Sequence, residues 1–205
     1  MAAGEPADER STVRVLLIGP PGSGKGTQGR RIAAHFDVPY LSSGELLRAE
    51  VEAGSALGER VADDLAAGDL VPDDVILEAL REPLEAALRS GGYVLDGFPR
   101  NVAQARELTS YAADFGGEPE VVVWFDVGDA ELLRRTRARA LAEGRVDDVD
   151  AVARHRIDVY NAATAPLIDH YRQDGRLVRI DASPPVDEVT SSVLAALEPF
   201  ANRPA

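Results

Sequence analysis

The chain has 205 residues, 35 acidic and 22 basic, for a formal net charge of −13. Its length suits one domain, and so acidic a surface repels phosphates, which argues against a nucleic-acid partner. It has no cysteine, which excludes disulfides, thiolate zinc sites and a cysteine nucleophile.

No apolar run approaches the ~20 residues that cross a bilayer, so no membrane partner is expected. Residues 1–11 are polar and acidic and do not read as a secretory signal, so a cytoplasmic protein is expected. The β-branched, apolar run at 13–18 reads as a buried parallel strand ending in Gly19-Pro20-Pro21-Gly22. Helical character follows at 27–36 and a short strand at 38–41. Residues 42–70 read as two short helices broken at Gly54 and closed at Gly68, with no strand. A helix over Asp73–Ser90, kinked at Pro83, leads to the strand Tyr93-Val94-Leu95 and Asp96. Then come a helix at 102–115, a strand at 121–125 ending in Asp126, and a helix at 129–140. A polar loop at 141–148, a helix at 150–172, a strand at 177–180 ending in Asp181 and a helix over Val186–Leu197 complete the chain. This alternation predicts an α/β fold, a parallel five-stranded sheet flanked by helices and joined by right-handed crossovers. Ligands bind such sheets at the carboxyl ends of the strands, where 19–27, 96–100, Asp126 and Asp181 fall.

Gly19-Pro20-Pro21-Gly22-Ser23-Gly24-Lys25 fits G-x-x-x-x-G-K between a strand and a helix. Such glycines let backbone N–H groups curl inward and, with the positive helix end, cradle a polyphosphate. Lys25 would reach the β- and γ-phosphates. Gly26 comes next, so the hydroxyl that usually follows the lysine is displaced to Thr27. The basic residues are 21 arginines and a single lysine, Lys25. Against that bias the lone lysine is informative, because a compact ammonium serves in a tight cavity where arginine's wide planar fork does not.

Gly22-Ser23-Gly24-Lys25-Gly26-Thr27 resembles the GxGKGT loop of nucleoside monophosphate kinases, the adenylate kinase family above all. Leu41-Ser42-Ser43-Gly44-Glu45-Leu46-Leu47-Arg48 is similar to that family's LSTGDLLR, with Glu45 in place of Asp. Gly68-Asp69-Leu70-Val71-Pro72 resembles GxLVP, Asp96-Gly97-Phe98-Pro99-Arg100 matches DGFPR, and Gly144-Arg145-Val146-Asp147-Asp148 matches GRVDD. The resemblance runs from about 13 to 197. It implies a P-loop NTPase fold with a flexible tail at 1–11 and one kinase domain at 12–200. Within that domain the core is 12–41, 72–137 and 149–200, a helical NMP-binding insertion is 42–71, and a short lid without zinc is 138–148. The implied activity is reversible, Mg²⁺-dependent phosphoryl transfer from ATP to AMP, giving two ADP, by a monomer. Two other readings stay open: a UMP/CMP kinase of the same fold, and a nucleotide-sensing module without turnover.

Bringing two polyanions together demands cations and exclusion of water more than covalent chemistry. Residues 134–156 carry seven arginines against four acids, a net +3. Arg134, Arg137 and Arg154 read as a solvated face. The resemblance assigns Arg139 to the donor and the moving phosphoryl group, and Arg145 and Arg156 to a bridge toward the acceptor phosphate. Together with Lys25 and Arg100 these form the catalytic set. The ATP contacts it implies are Gly22, Ser23, Gly24, Lys25, Gly26, Thr27, Arg139, the carbonyl of Pro184, and Arg135 either as an assistant or as a structural group. For AMP it implies Ser43, the backbone of Asp69, Leu70 and Val71, the turn Gly97-Phe98-Pro99, Gln104, Arg145 and Arg156. Arg48 and Arg100 would clamp the α-phosphate by bidentate hydrogen bonds. A glutamine amide donates and accepts at once, matching N1 and N6 of adenine. UMP/CMP kinases have Asn at 104 and Ala at 43, so Gln104 and Ser43 favour AMP. Asp96 would hold hydrated Mg²⁺ through water, with Thr27 a second candidate. Asp147 and Asp148 would orient lid arginines. His35, His155 and His170 lack ligand spacing and are assigned no chemistry.

Overall fold

The computed structural model describes residues 13–143 and 150–201. The expected tail and residues 144–148 of the expected lid, Arg145, Asp147 and Asp148 among them, lie outside the described residues. Five strands, β1 (Arg14–Ile18), β2 (Tyr40–Ser42), β3 (Tyr93–Asp96), β4 (Val121–Asp126) and β5 (Leu177–Asp181), form one parallel sheet in the order β2-β3-β1-β4-β5. The helices are α1 (Lys25–Phe36), α2 (Ser43–Ala53), α3 (Ala56–Ala67), α4 (Asp73–Ser90), α5 (Val102–Ala113), α6 (Asp129–Glu143), α7 (Asp150–Val159), α8 (Pro166–Gln173) and α9 (Val186–Leu197). No helix among the described residues is long and apolar enough to cross a membrane.

Side-chain alternation along β1 explains why the sheet is covered twice. Leu16 and Ile18 pack with Ile76, Leu80, Leu108 and Leu167 of α4, α5 and α8. Val15 and Leu17 pack on the other face with Ile32, Phe36, Val189 and Val193 of α1 and α9. Asp96 pairs in register with Leu17 of β1 and Ser42 of β2. The strand tips therefore lie level, and β1 at the centre delivers its loop between those of β3 and β4.

Several boundaries differ from the sequence expectation. β2 ends at Ser42 and starts at Tyr40, because Asp37 at φ 53° closes α1 and Val38 N–H donates to Ala33 O (3.0 Å), so the chain is still turning at 38. α1 begins at Lys25, and α5 stops at Ala113. α4 runs through Pro83 and continues on both sides. α6 continues to Glu143, taking in the first residues of the expected loop; Leu141 and Ala142 are strong helix formers. The single helix expected over 150–172 is three pieces. α7 ends at Val159, a π-helical turn spans Tyr160–Thr164, and Pro166 starts α8. Proline has no N–H and crowds the carbonyl four residues back, and here Ala165 N–H instead reaches Tyr160 O at 3.0 Å. Such π-turns gather at functional sites, and Tyr160 and Thr164 both border the cleft described next.

Candidate active site

A cleft of about 570 Å³ opens at the carboxyl ends of β1 and β3. Its floor is the turn after β1, where Gly22 and Gly24 take φ of 82° and 94°. L-residues with a Cβ rarely adopt these angles, and they let the turn hand the chain into α1 at Lys25. The Lys25 ammonium donates to Gly19 O at 2.6 Å and Pro20 O at 3.1 Å, so its position is held by the loop's own backbone. Burial lowers its pKa to about 8, against the pull of Asp96 and with the push of Arg100, Arg156 and Arg139. Four cations and one carboxylate thus share a single field. Ser23 Oγ is buried beneath the loop and has no hydrogen-bond partner among the described residues.

Asp96 ends β3 and is 8% exposed, accepting from the Tyr40 hydroxyl at 3.0 Å. Burial and this neighbouring carboxylate push the Tyr40 phenol far above its usual range, so it stays a donor. The ring fits because position 29 is glycine: a Cβ there would lie 2.4 Å from Tyr40 Cε2. Arg30 stacks 5.0 Å over the same ring and binds Glu45 of α2 through both oxygens, at 2.7 and 3.1 Å. Glu45, one of the residues that depart from the family pattern, thereby ties the insertion to α1.

The turn after β3 carries Gly97, the cis Phe98–Pro99 bond and Arg100. Arg100 Nε donates to Gly97 O at 2.8 Å. Burial lowers its pKa, opposed by Asp96 and reinforced by Arg48. Arg48, Arg100, Arg139 and Arg156 border the cleft with Lys25, Gly22, Gly24, Gly26, Thr27, Leu70, Gly97 and Pro99. Arg156 is carried there by α7, whose approach needs Gly68. At φ 80°, a Cβ on Gly68 would lie 2.5 Å from Arg156 Cγ. His155, beside it, meets Asp69 Oδ1 at 2.6 Å.

Other expected site residues are not on the cleft surface. Arg135 is bound to Glu131 Oε1 (2.7 Å) and to the carbonyls of Ala182 (2.9 Å) and Ser183 (3.3 Å), so it braces the loop that holds Pro184. Arg134 and Arg135 together hold the Glu131 carboxyl down at about 2. Asp69, Val71, Phe98 and Pro184 do not line the cavity, and Val71 and Phe98 are core residues. Ser43 is 1% exposed, its hydroxyl buried without a partner among the described residues and close to Gly97. Gln104, also 1% exposed, accepts from Arg100 N–H at 2.6 Å and donates to Asp73 Oδ1 at 2.5 Å. A base can reach its amide only if the covering groups move. Arg30, Arg31, Glu45, Val159, Tyr160 and Thr164 line the cleft without having been read from sequence. Of these, Glu45 had a readable signal, since it sits within the resemblance to LSTGDLLR.

The sequence model of the adenylate kinase family matches residues 17–176. An adenylate kinase of Xanthomonas euvesicatoria pv. vesicatoria (strain 85-10) is 46% identical over 185 residues, covering 90% of this chain and 99% of its own. One from Xanthomonas axonopodis pv. citri (strain 306) gives the same figures, 46% over 185 residues with 90% and 99% covered. One from Stenotrophomonas maltophilia (strain R551-3) is 42% identical over 186 residues, covering 91% of this chain and 100% of its own.

Proposed function

The chain belongs to the adenylate kinase family, and from that premise we propose how its cleft performs the family's reaction. The protein is a nucleoside monophosphate kinase, a phosphotransferase that moves the γ-phosphoryl group of ATP reversibly to AMP. One observation carries the assignment of residues. The only lysine of the chain and four arginines, Arg48, Arg100, Arg139 and Arg156, border one cavity at the strand tips.

In the donor half, the N–H groups of the turn at 19–25 and the start of α1 cradle the β- and γ-phosphates, with Lys25 leaving its carbonyl partners to follow the charge. Arg48 and Arg100 hold the α-phosphate of AMP and aim its oxygen at the γ-phosphorus, in line with the leaving oxygen. Arg139 and Arg156 neutralise the equatorial oxygens and the bridging charge as it builds. Fixed cations in a site sheltered from water are worth far more than in bulk solvent. Transfer is direct, and no strong general base is needed because the nucleophile is already an anionic phosphate oxygen. The Ser43 hydroxyl, buried beside Gly97 without a partner among the described residues, would meet the acceptor nucleotide once the groups that cover it move.

The buried Asp96 carboxylate and the exposed Thr27 hydroxyl offer hard oxygen donors beside the phosphate turn, a set that suits hydrated Mg²⁺. When bound with ATP, Mg²⁺ supplies charge neutralisation of the β- and γ-oxygens. Tyr40 holds the Asp96 carboxylate in place for that role. The insertion at 42–71 closes over AMP, hinged at β2 and at 68–72, and excludes water. We infer a monomer working in the cytoplasm.

A coupled assay offering AMP, UMP, CMP and GMP with MgATP tests this reading. AMP is expected to be the preferred acceptor; a clear preference for a pyrimidine monophosphate, or nucleotide binding without transfer, would overturn it.

A further inference from the structure

The Gln104 amide is held at both ends before any base is considered. Its carbonyl Oε1 accepts from Arg100 N–H at 2.6 Å, and its Nε2 donates to Asp73 Oδ1 at 2.5 Å. These two partners are not interchangeable. A backbone N–H can only donate, and an ionised carboxylate can only accept. A flipped amide would set carbonyl against carboxylate and NH₂ against N–H, two repulsive contacts in place of two hydrogen bonds. We propose that Asp73 is a positioning residue that fixes which end of the Gln104 amide is donor and which is acceptor, and so sets discrimination between 6-amino and 6-oxo purine monophosphates.

Hydrogen-bond capacity supports this. A primary amide has two N–H donors and two acceptor lone pairs. The contacts to Arg100 and Asp73 use one of each, which leaves one donor and one acceptor. Adenine needs both, a donor for bare N1 and an acceptor for the N6 amino group. A 6-oxo purine presents N1–H and a carbonyl, so it matches only the flipped amide. The flip state therefore decides which purine fits, and Asp73 together with Arg100 N–H decides the flip state.

Asp73 is well placed to be rigid. It is the first residue of α4, whose Val75 and Ile76 are 5% and 1% exposed in the core. Both residues donate their N–H to Pro72 O, at 3.1 and 3.2 Å, which fixes the start of the helix. Its second oxygen accepts weakly from Asn101 Nδ2 at 3.4 Å, and Asn101 Oδ1 in turn accepts from Gln104 N–H at 2.9 Å, capping α5. Asp73 itself is exposed, so replacing it leaves the core intact.

The inference rests on Gln104 being the base-reading residue, and the test separates the two. Steady-state kcat and KM are measured for AMP and for inosine monophosphate in wild type, Asp73→Ala, Asp73→Asn, Gln104→Ala and, as a neighbour control, Asp74→Ala. Wild type is expected to favour AMP by at least about 100-fold in kcat/KM. Asp73→Ala should lower that ratio about tenfold, through a higher KM for AMP at nearly unchanged kcat. Asp73→Asn, whose amide donates as readily as it accepts and so pairs with either flip state, should lower the ratio about as much as Asp73→Ala, whereas Asp74→Ala should leave it unchanged. If Gln104→Ala loses the ratio and Asp73→Ala keeps it, or if Asp73→Ala weakens both acceptors equally, the inference about Asp73 is wrong. If Gln104→Ala keeps the wild-type ratio, the reading of Gln104 fails and takes this one with it.

Discussion

The turn at 19–25 and the insertion at 42–71 face each other across the cleft and are held in opposite ways. The turn grows out of β1, the central strand, whose Val15 and Leu16 are 0% exposed and packed on both faces. Its lysine is fixed by two backbone carbonyls. The insertion leaves the sheet from β2, a short strand at the rim. Around it, exposed side chains make many of its ties: Arg30 to Glu45, Arg60 to Glu78, and His155 to Asp69. Exposed ion pairs contribute only ~0–1 kcal/mol each. On the proposed assignment, donor phosphates would meet a surface already shaped, whereas the acceptor would meet one whose contacts can be traded cheaply, as closure would require.

The sharpest way to break this contrast is to disturb the preshaped side. Lys25→Arg keeps the charge but brings a wide planar group into a space shaped by Gly19 and Pro20 carbonyls. We expect kcat to fall by ~10²–10³-fold with ATP binding largely kept, as for loss of one preorganised donor. A kcat within a few-fold of wild type would contradict the role given to Lys25. Next in size is a pH effect on the same group. With its pKa lowered to about 8 by burial, the free protein loses the Lys25 proton as pH rises past 8. Only the ammonium form attracts phosphate, so kcat/KM for MgATP should fall toward tenfold per unit above about pH 8. Bound polyphosphate favours the ammonium form and moves the same limb of kcat to higher pH. The pH profile of Lys25→Arg should lack that limb. Smallest is Glu45→Ala on the tradeable side. It removes an exposed pair, so KM for AMP should change by about threefold or less, and the difference should fade in high salt.

Much of the fold was readable because burial leaves a periodic trace. The apolar runs at 13–18, 93–95, 121–125 and 177–180 became β1, β3, β4 and β5, and the glycines at 54 and 68 cap α2 and α3. The break at Tyr160–Thr164 was also written in the chain, as Pro166, but the apolar periodicity either side of it reads as one helix. In the site, residue types with one strong chemical use stood out. Lys25, Arg100 and Asp96 do border one cavity. Arginines did not sort themselves, because a guanidinium serves equally well against substrate or scaffold. The Glu131–Arg135 spacing of four residues on a helix is the signal that Arg135 has a partner already. For Gln104 the chemistry of the amide is legible and its partners are not, since Asp73 lies 31 positions away.

The solitary ε-amine has a practical consequence. Reagents that acylate or reductively alkylate amines react only with the neutral form, and every other basic side chain here is a guanidinium or an imidazole. An amine tuned to about 8 is partly neutral in ordinary buffers. Beyond any α-amine, such a reagent has one address on this chain, on the lining of the cleft. The same chemistry that suits phosphate capture thus supplies a built-in site for a covalent probe, one that bound ATP would shield.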